Sequence, residues 1–360
     1  MLVRAVRRIV GLGVVGLLAG TTLTGCHGGP HATTLVSGVS WPTSFFVTPD
    51  NNALWYSLRF SGEIHRRNLT NSNDTLVYTV TNVLNGTEQG LFGLAQHPNY
   101  PSSPFVYAFA TRQVGGQPRN QVLKITITNG VGVSSQVIFD AAAANQHNGG
   151  RIAFGADDML YIAVGDNTSA PNSQNLNNKP GKIHRITPDG AVPGDNPFAG
   201  NTIWAFGIRN SFGFGFDPNN GQLWATDNGP ECNDEVNRIT KGGNYAWGPT
   251  ATCAGTAPDN TNQDGPLPRR KPKHLYATPT GITGLAFCSS CGLGSAPEGK
   301  LLVGASNNGH IRRLTLDAGR TTVLADNLLY DHFSGVASVE SRPGQPVYFS
   351  DGSAIYRLNL

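Results

Sequence analysis

Hydrophobic and polar positions along the chain repeat a two-strand pattern. Six times, a turn rich in Pro, Asp, Asn or Gly precedes an apolar or aromatic pair, at Leu54-Trp55, Val106-Tyr107, Leu160-Tyr161, Leu223-Trp224, Leu301-Leu302 and Val347-Tyr348. Each pair is followed by a segment in which apolar and polar residues roughly alternate, at residues 64–66, 122–125, 183–186, 236–239, 311–314 and 355–358. A period of two is typical of a half-buried β-strand. The pattern therefore predicts six pairs of strands joined by turns.

The spacing of these pairs indicates the architecture. From Leu54 to Val347, successive pairs begin 46 to 78 residues apart, which is around the length of a four-stranded sheet with its loops. One such sheet cannot bury both of its faces alone, whereas a ring of sheets can. We predict an all-β protein, a six-bladed β-propeller that occupies residues 40–360 as a single domain. A β-sandwich or two β domains is the alternative, although no break in composition appears after residue 40.

Composition agrees with a turn-rich β protein and excludes other classes. Charged residues make up 14% of the 360 residues, and there are 45 glycines, 23 prolines and two methionines, a poor composition for helix bundles or coiled coils. Residues 1–25 hold three arginines and no acidic residue, so the net charge of +3 belongs to this segment. The remaining chain is neutral and has no long basic run, which argues against nucleic acid as a partner.

The amino terminus has the features of an export signal. Arg4, Arg7 and Arg8 precede an apolar stretch that is too short and too rich in glycine to be a typical transmembrane helix. The residues that follow, 23–26 (Leu-Thr-Gly-Cys), resemble the lipobox of bacterial lipoproteins. We predict a signal peptide over residues 1–25, a lipid on Cys26, a tether over residues 26–39, and an exported protein held to a membrane only by this lipid, on the periplasmic side or the cell surface. An ordinary secretory peptide is the alternative.

Four more cysteines follow Cys26. Because an exported protein meets an oxidising environment, two disulfides are favoured, most simply Cys232 with Cys253 and Cys288 with Cys291. A four-cysteine zinc site is the alternative, and the closely spaced pair also has the spacing of a redox-active motif, but without the βαβ context that supports one.

The densest polar cluster lies at residues 146–151 (Gln-His-Asn-Gly-Gly-Arg), with Asp166 one strand later. Glycines let the backbone approach a ligand closely, and a strand pair can return Asp166 to the vicinity of His147. A histidine oriented by a carboxylate is a good general base near neutral pH. A histidine that only caps a turn is the alternative.

Two later segments add candidate ligands. Arg209-Asn210 follows a predicted strand, and residues 227–230 (Asp-Asn-Gly-Pro) form a turn that is followed by Asp234-Glu235. Carbonyl and carboxylate oxygens in such loops suit calcium, although plain turns and solvated acids remain the alternative. The sequence contains no HxH or HExxH metal motif, no P-loop and no Gly-x-Ser-x-Gly elbow, which argues against zinc enzymes, nucleotide enzymes and α/β hydrolases.

These segments together resemble one enzyme family. The order and spacing of residues 90–98, 147–151, 207–210, 227–230 and 243–245 are similar to those of the soluble PQQ-dependent sugar dehydrogenases, the glucose/sorbosone dehydrogenase family. The resemblance covers roughly residues 40–357 and is strongest between 88 and 248. It implies a six-bladed propeller that binds pyrroloquinoline quinone (PQQ) and calcium above its central channel and oxidises an aldose sugar. Relatives commonly dimerise, so a homodimer stays open, but no exposed apolar stripe requires it.

The resemblance also implies a role for individual residues. His147 would take the proton of the sugar hydroxyl while hydride passes to the quinone, and Asp166 would orient it. Arg209, counted among both the catalytic and the cofactor-binding residues, and Asn210 would contact the quinone. Gly229 and Pro230 would offer carbonyls to the cofactor-bound calcium. A second, structural calcium site would be formed by Glu235 and Tyr245.

Three departures concern the cofactor's carboxylates. Asn307 stands where the family has a lysine, and residues 330–339, where an arginine pair is expected, contain no arginine and offer only His332 as a cation. Glu88 stands where well-studied members have a glutamine beside the cofactor. Losing three charge-assisted contacts of about 1.5 to 3 kcal/mol each would weaken quinone binding severely. Two alternatives to the dehydrogenase therefore stay open: a propeller that has lost PQQ and binds a ligand or protein, and a calcium-dependent lactone hydrolase.

Overall fold

The computed structural model describes residues 29–251, 253 and 268–360 of the chain. In this part the chain forms 24 strands, and its α-helix is the five-residue α1 (Ala170–Gln174). The strands form six antiparallel sheets of four strands each. No helix in these ranges is long and apolar enough to cross a membrane. The predicted signal peptide and Cys26 lie outside the described residues.

The first three blades follow one another along the chain. Blade 1 contains β2 (Pro42–Val47), β3 (Ala53–Leu58), β4 (Glu63–Asn68) and β5 (Asp74–Thr79). Blade 2 contains the longest hairpins, with β6 (Leu91–Gln96), β7 (Phe105–Val114), β8 (Gln117–Thr128) and β9 (Val131–Ala142). Blade 3 contains β10 (Ile152–Phe154), β11 (Leu160–Val164), β12 (Lys182–Ile186) and β13 (Ile203–Phe206), with α1 between β11 and β12.

The remaining blades complete a ring. Blade 4 contains β14 (Phe214–Phe216), β15 (Leu223–Asp227), β16 (Asp234–Arg238) and β17 (His274–Tyr276). Blade 5 contains β18 (Ile282–Phe287), β19 (Leu301–Ala305), β20 (His310–Leu316) and β21 (Val323–Asp331). Blade 6 contains β22 (Ser338–Glu340), β23 (Val347–Ser350), β24 (Ala354–Asn359) and β1 (His31–Ser37). The first strands of neighbouring blades contact each other all the way around, including β22 against β2. The prediction of a six-bladed β-propeller is confirmed.

The amino-terminal strand closes the ring. β1 pairs antiparallel with β24 from His31 to Ser37, and Val36 is buried between blades 6 and 1. The prediction that residues 26–39 are a tether is wrong for residues 31–37, because they supply the fourth strand of blade 6. The described propeller therefore begins before residue 40, and its two ends are joined by backbone hydrogen bonds.

The repeated sequence pattern corresponds to the second and third strands of every blade. The pattern did not reveal the first strands, which are only three residues long in blades 3, 4 and 6. A strand of three residues is too short to show an alternation of apolar and polar positions. The fourth strands did not show the pattern either. Most residues of β5 and β9 are exposed, so burial imposes no alternation of apolar and polar residues there, whereas β13 is largely buried and only four residues long.

The hydrophobic core consists of six clusters, one between each pair of neighbouring blades. Between blades 1 and 2, for example, Trp55 belongs to one cluster with Leu91 and Ala108. The faces of the blades thus pack against each other, so a ligand-binding site has to be formed by the loops at one end of the channel. Disulfides join Cys232 to Cys253 and Cys288 to Cys291, which confirms the predicted pairing.

Candidate active site

Loops from blades 2 to 5 surround a cavity of about 400 Å³ at one end of the channel. These loops either lead into the first strand of a blade or leave its second strand. The cavity brings together residues that were predicted separately from the sequence, namely Glu88, His147, Arg209, Asn210, Gly229, Pro230 and Asn307. Asp166 lies behind His147, while Glu235 and Tyr245 lie on the other side of the turn that carries Gly229.

A buried carboxylate orients the imidazole of His147. Its Nδ1 lies 2.7 Å from Asp166 Oδ1, and Asp166 is 1% exposed. The other carboxylate oxygen of Asp166 accepts a hydrogen bond of 2.8 Å from the indole of Trp247. His147 Nε2 makes no hydrogen bond to any described residue, and the histidine lines the cavity. With Nδ1 turned to a carboxylate, Nε2 is the nitrogen that can take a proton from a ligand.

The backbone of His147 is held in an uncommon conformation. Its φ is 56°, in the left-handed region, and its N–H donates to Glu88 Oε2 at 2.7 Å. Gly165 permits this approach, since a Cβ there would lie 2.2 Å from the His147 carbonyl oxygen. The same Glu88 oxygen accepts from Asn210 Nδ2 at 2.9 Å. Glu88, predicted as a cofactor ligand, thus ties the histidine loop to the loop of Arg209 and Asn210.

Asp227 holds the backbone of Arg209 and Asn210 in place. Its carboxylate accepts both of their backbone N–H groups, at 2.9 and 2.6 Å. Burial raises the pKa of Asp227 to about 7, against the effect of these two hydrogen bonds. The Arg209 side chain donates from Nη1 to the Asn228 carbonyl at 2.8 Å and lies over the ring of Trp247. Its remaining nitrogens make no hydrogen bond within the described ranges, so they are available to a ligand.

Asp234 anchors the turn that carries Gly229 and Pro230. Its carboxylate accepts hydrogen bonds from the backbone of Gly229 at 3.0 Å and of Thr280 and Gly281 at 2.8 Å each. Burial raises the pKa of Asp234. One aspartate therefore joins the predicted calcium-binding turn of blade 4 to the loop that leads into blade 5, and it holds one wall of the cavity in place.

The predicted second calcium site has a different character. Glu235 and Tyr245 line a very small void together with Asp227, Gly229 and Trp247. The Tyr245 hydroxyl donates to the Arg238 carbonyl at 2.6 Å and accepts from the Thr240 N–H at 2.8 Å. The hydroxyl therefore already has both a hydrogen-bond donor and an acceptor as partners. Only the backbone carbonyl of Tyr245 remains as a calcium ligand. Among the described residues, the one cluster of three His, Cys, Asp or Glu ligand atoms comprises Glu298 and the disulfide-bonded Cys288 and Cys291.

Sequence reasoning missed Lys182, which supports the site from inside blade 3. It is fully buried, and its ammonium, with three hydrogens to donate, lies within hydrogen-bonding distance of four oxygens, which are the carbonyls of Asn172, Asn175 and Pro180 and the amide oxygen of Asn178. This gathers the loop that contains α1, from which the Asn172 amide donates to the Asp166 carbonyl at 2.9 Å. The sequence contains no signal for it, because the strand Lys182–Ile186 also contains His184 and Arg185, beside which a lysine does not stand out.

Lys182→Met is expected to lower the free energy of unfolding by about 2–4 kcal/mol, because four buried oxygens lose a charged donor. Urea denaturation measures the change. Lys241→Met, at an exposed position, is the matched control and should stay within about 0.5 kcal/mol of the parent protein. Equal stability of the two variants would contradict the anchoring role of Lys182.

Fold and site define a propeller enzyme with a carboxylate-oriented histidine at the mouth of its channel. The Glucose / Sorbosone dehydrogenase family model matches residues 39–356. The chain belongs to this family, as its motifs predicted.

Two curated proteins are similar in sequence to parts of this chain. The chain is 29% identical over 246 residues to quinoprotein glucose dehydrogenase B of Acinetobacter calcoaceticus, which covers 59% of this chain and 51% of that protein. Identity to the aldose sugar dehydrogenase YliI of Escherichia coli is 29% over 215 residues, 57% of each protein. The aligned part thus spans about half the length of these curated relatives. The PQQ-bound aldose sugar dehydrogenase of Streptomyces coelicolor has the same fold, with a TM-score of 0.77 at 24% identity over 92% of this chain and 98% of that one.

Proposed function

We propose that the protein is a PQQ- and calcium-dependent dehydrogenase that oxidises the carbinol of an aldose sugar. The observation that carries this proposal is the pair of His147 and Asp166, 2.7 Å apart, at the wall of a cavity that also contains Arg209 and Asn210. Membership of the glucose/sorbosone dehydrogenase family and the quinoprotein among the relatives support the same assignment.

The donors around the cavity fit a quinone that carries carboxylates. Arg209 presents guanidinium nitrogens without protein partners, and Asn210 lies next to it at the cavity wall. Gly229 and Pro230 line the same wall, where their carbonyls are the oxygen ligands that calcium prefers. PQQ, when bound, supplies an acceptor for hydride, and calcium supplies a Lewis acid beside it.

The chain's own residues handle the proton of the sugar hydroxyl. Nε2 of His147 accepts this proton from the hydroxyl oxygen as a hydride leaves the carbon that bears the hydroxyl, so the carbinol becomes a carbonyl and the histidine an imidazolium. Asp166 stabilises that positive charge through Nδ1. Trp247 and Thr168 keep Asp166 in position by donating to its two oxygens. Arg209, whose guanidinium lies over Trp247, orients the ligand.

Reconstitution tests the proposal. The purified protein is titrated with PQQ in the presence of CaCl₂ or of EGTA, and D-glucose and then other aldoses are added with a redox dye. We expect calcium-dependent PQQ binding, a change in quinone absorbance on adding a sugar, and dye reduction that EGTA prevents. No bound PQQ at tens of micromolar would overturn the proposal. Calcium-dependent lactone hydrolysis without PQQ would point to a hydrolase instead.

We also propose that the protein is exported and held at a membrane through a lipid on Cys26. The support is the basic and apolar sequence of residues 1–25 and the lipobox at its end. Two disulfides in the propeller suit an oxidising compartment. Mass spectrometry of the mature protein would find the lipid on Cys26.

A further inference from the structure

A second chamber of about 370 Å³ adjoins the cavity described above. The two share Glu88, Phe212, Thr283 and Ser306 as lining residues, so they lie side by side. The first contains the candidate base, whereas the second extends over blades 6 and 1. Its remaining walls are largely apolar, with Trp41 and Phe92 among them, but they also contain two arginines.

Arg59 is a buried cation without a carboxylate partner. It is 8% exposed, and no carboxylate of the described residues lies within 4 Å of its guanidinium. Nε donates to the Gln89 carbonyl at 3.0 Å, and Nη2 donates to the carbonyls of Gly86 and Thr87. Nη1 makes no hydrogen bond in the described part of the chain. Burial lowers the pKa of Arg59 while the charge of Glu88 raises it. A guanidinium held this way keeps one donor group for an anion.

Aromatic rings fix the position of this guanidinium. Its Cζ lies 5.5 Å from the ring centre of Trp41, 4.6 Å from that of Phe60 and 4.8 Å from that of Phe92. Arg59 directly follows β3, the second strand of blade 1. Asp166 and Asn307 follow the second strands of blades 3 and 5 in the same way, at two residues' distance. Of these three residues, Arg59 and Asn307 line the two chambers, whereas Asp166 lies behind His147.

Arg151 adds a second positive charge to the chamber. It is 6% exposed and donates to the carbonyls of Phe212 at 2.8 Å, Thr43 at 3.1 Å and Thr283 at 3.4 Å. Its nearest carboxylate, Glu340, is 3.7 Å away. Two buried guanidiniums thus line a chamber in which Glu88 is the lining carboxylate. Arg151 is paired with Glu340, whereas Arg59 has no carboxylate of the described residues within ion-pair distance, so a ligand with an anionic end can supply the missing partner of Arg59.

The opposite wall offers no substitute cation. Ser306 and Ser334 line the chamber, and Asn307 lines the adjoining cavity. The sequence offered His332 as a cation near this position. It is 3% exposed and lies inside blade 6, where its Nε2 is 3.1 Å from Asp351. It therefore does not face the ligand. Among the described residues that line this chamber, the cations are therefore Arg59 of blade 1 and Arg151, which leads into blade 3.

We propose that Arg59, supported by the charge of Arg151, binds a carboxylate group of an aromatic polycarboxylate ligand in this second chamber. The identity of the ligand as PQQ rests on the proposed function; the anion site itself does not. Arg59 would then take over the role of cations that are absent from blades 5 and 6, and the quinone would extend from Arg209 toward blade 1.

Equilibrium binding tests this site without any turnover. Calorimetry measures the affinity for PQQ with calcium and, separately, for benzene-1,3,5-tricarboxylate without it. Arg59→Met should weaken both by roughly ten- to a hundredfold, the loss of one charge-assisted hydrogen bond, and Arg59→Lys should recover part of the affinity. Arg112→Met is the matched control, because Arg112 also bonds a carbonyl, that of Thr81, but does not line the chamber. It should bind both ligands like the parent protein.

A second variant tests the same site in case Arg59→Met does not fold. Ser334→Glu keeps Arg59 and places a negative charge in the chamber from a loop position, so it should weaken binding of both ligands. Unchanged affinity in both Arg59→Met and Ser334→Glu would overturn the site and leave the proposed function intact. Tricarboxylate binding that depends on Arg59, without PQQ binding, would keep the site and overturn the proposed function. No binding of either ligand would overturn both.

Discussion

His147→Asn is expected to lower kcat for sugar oxidation by roughly 10²–10⁴, the usual contribution of a general base. The affinity for PQQ should stay close to that of the parent protein, because the cavity's cations and the calcium-binding turn are untouched. Asn is preferred to Ala here because the backbone of His147 has a φ of 56°, a conformation that asparagine tolerates. Stopped-flow reduction of the bound quinone by D-glucose measures the chemical step itself.

His310→Asn is the matched control for this prediction. His310 lies on β20 in blade 5, outside the lining of either chamber. Its variant should reduce the quinone at the parent rate. If His147→Asn did so too, His147 would not be the base, and the hydroxyl proton would have to go elsewhere.

Asp227→Ala is expected to weaken both folding and cofactor binding. The substitution leaves the N–H groups of Arg209 and Asn210 without their acceptor in a buried position, which should cost about 2–4 kcal/mol of unfolding free energy. The loop that presents Arg209 then loses its fixed position, so PQQ affinity should fall at least tenfold. Denaturation in urea and calorimetric titration with PQQ measure the two effects separately.

Asp317→Ala separates a general loss of stability from this local effect. The Asp317 carboxylate also accepts two backbone N–H groups, those of Thr321 and Thr322, but in a turn between β20 and β21 outside both chambers. This variant should lose stability and keep its PQQ affinity. Parent-like PQQ affinity in Asp227→Ala would show that the Arg209 loop does not depend on this carboxylate.

The two substitutions probe different parts of one arrangement. His147 acts on the proton, and Asp227 acts only through the residues it holds. A loss of quinone reduction with retained PQQ binding is therefore expected for the first, and a loss of PQQ binding for the second. The reverse result would contradict both assignments.

Part of the site could be predicted because its residues lie in short motifs. Arg209 and Asn210 are adjacent, as are Gly229 and Pro230, and each pair stands where a predicted strand meets a loop. The structure places them around one cavity. Their supports were not predictable, because the supporting contacts join distant residues: Trp247 and Asp166 are 81 residues apart, and Glu88 and Asn210 are 122 apart.

The sequence by itself determined the number of blades and their second and third strands, since a half-buried strand leaves a period of two in the order of its residues. It also favoured the two disulfides that the structure confirms, and it contained the motifs that carry His147 and Arg209. Only the tertiary structure decided that residues 31–37 close the ring, that Lys182 holds the loop beneath the site, and that Arg59 faces a chamber while His332 does not. Ring closure and the surroundings of Arg59 and His332 depend on contacts between residues far apart in the chain, which no local pattern shows. The contacts of Lys182 are local, but they depend on the path of an irregular loop, which has no period to read.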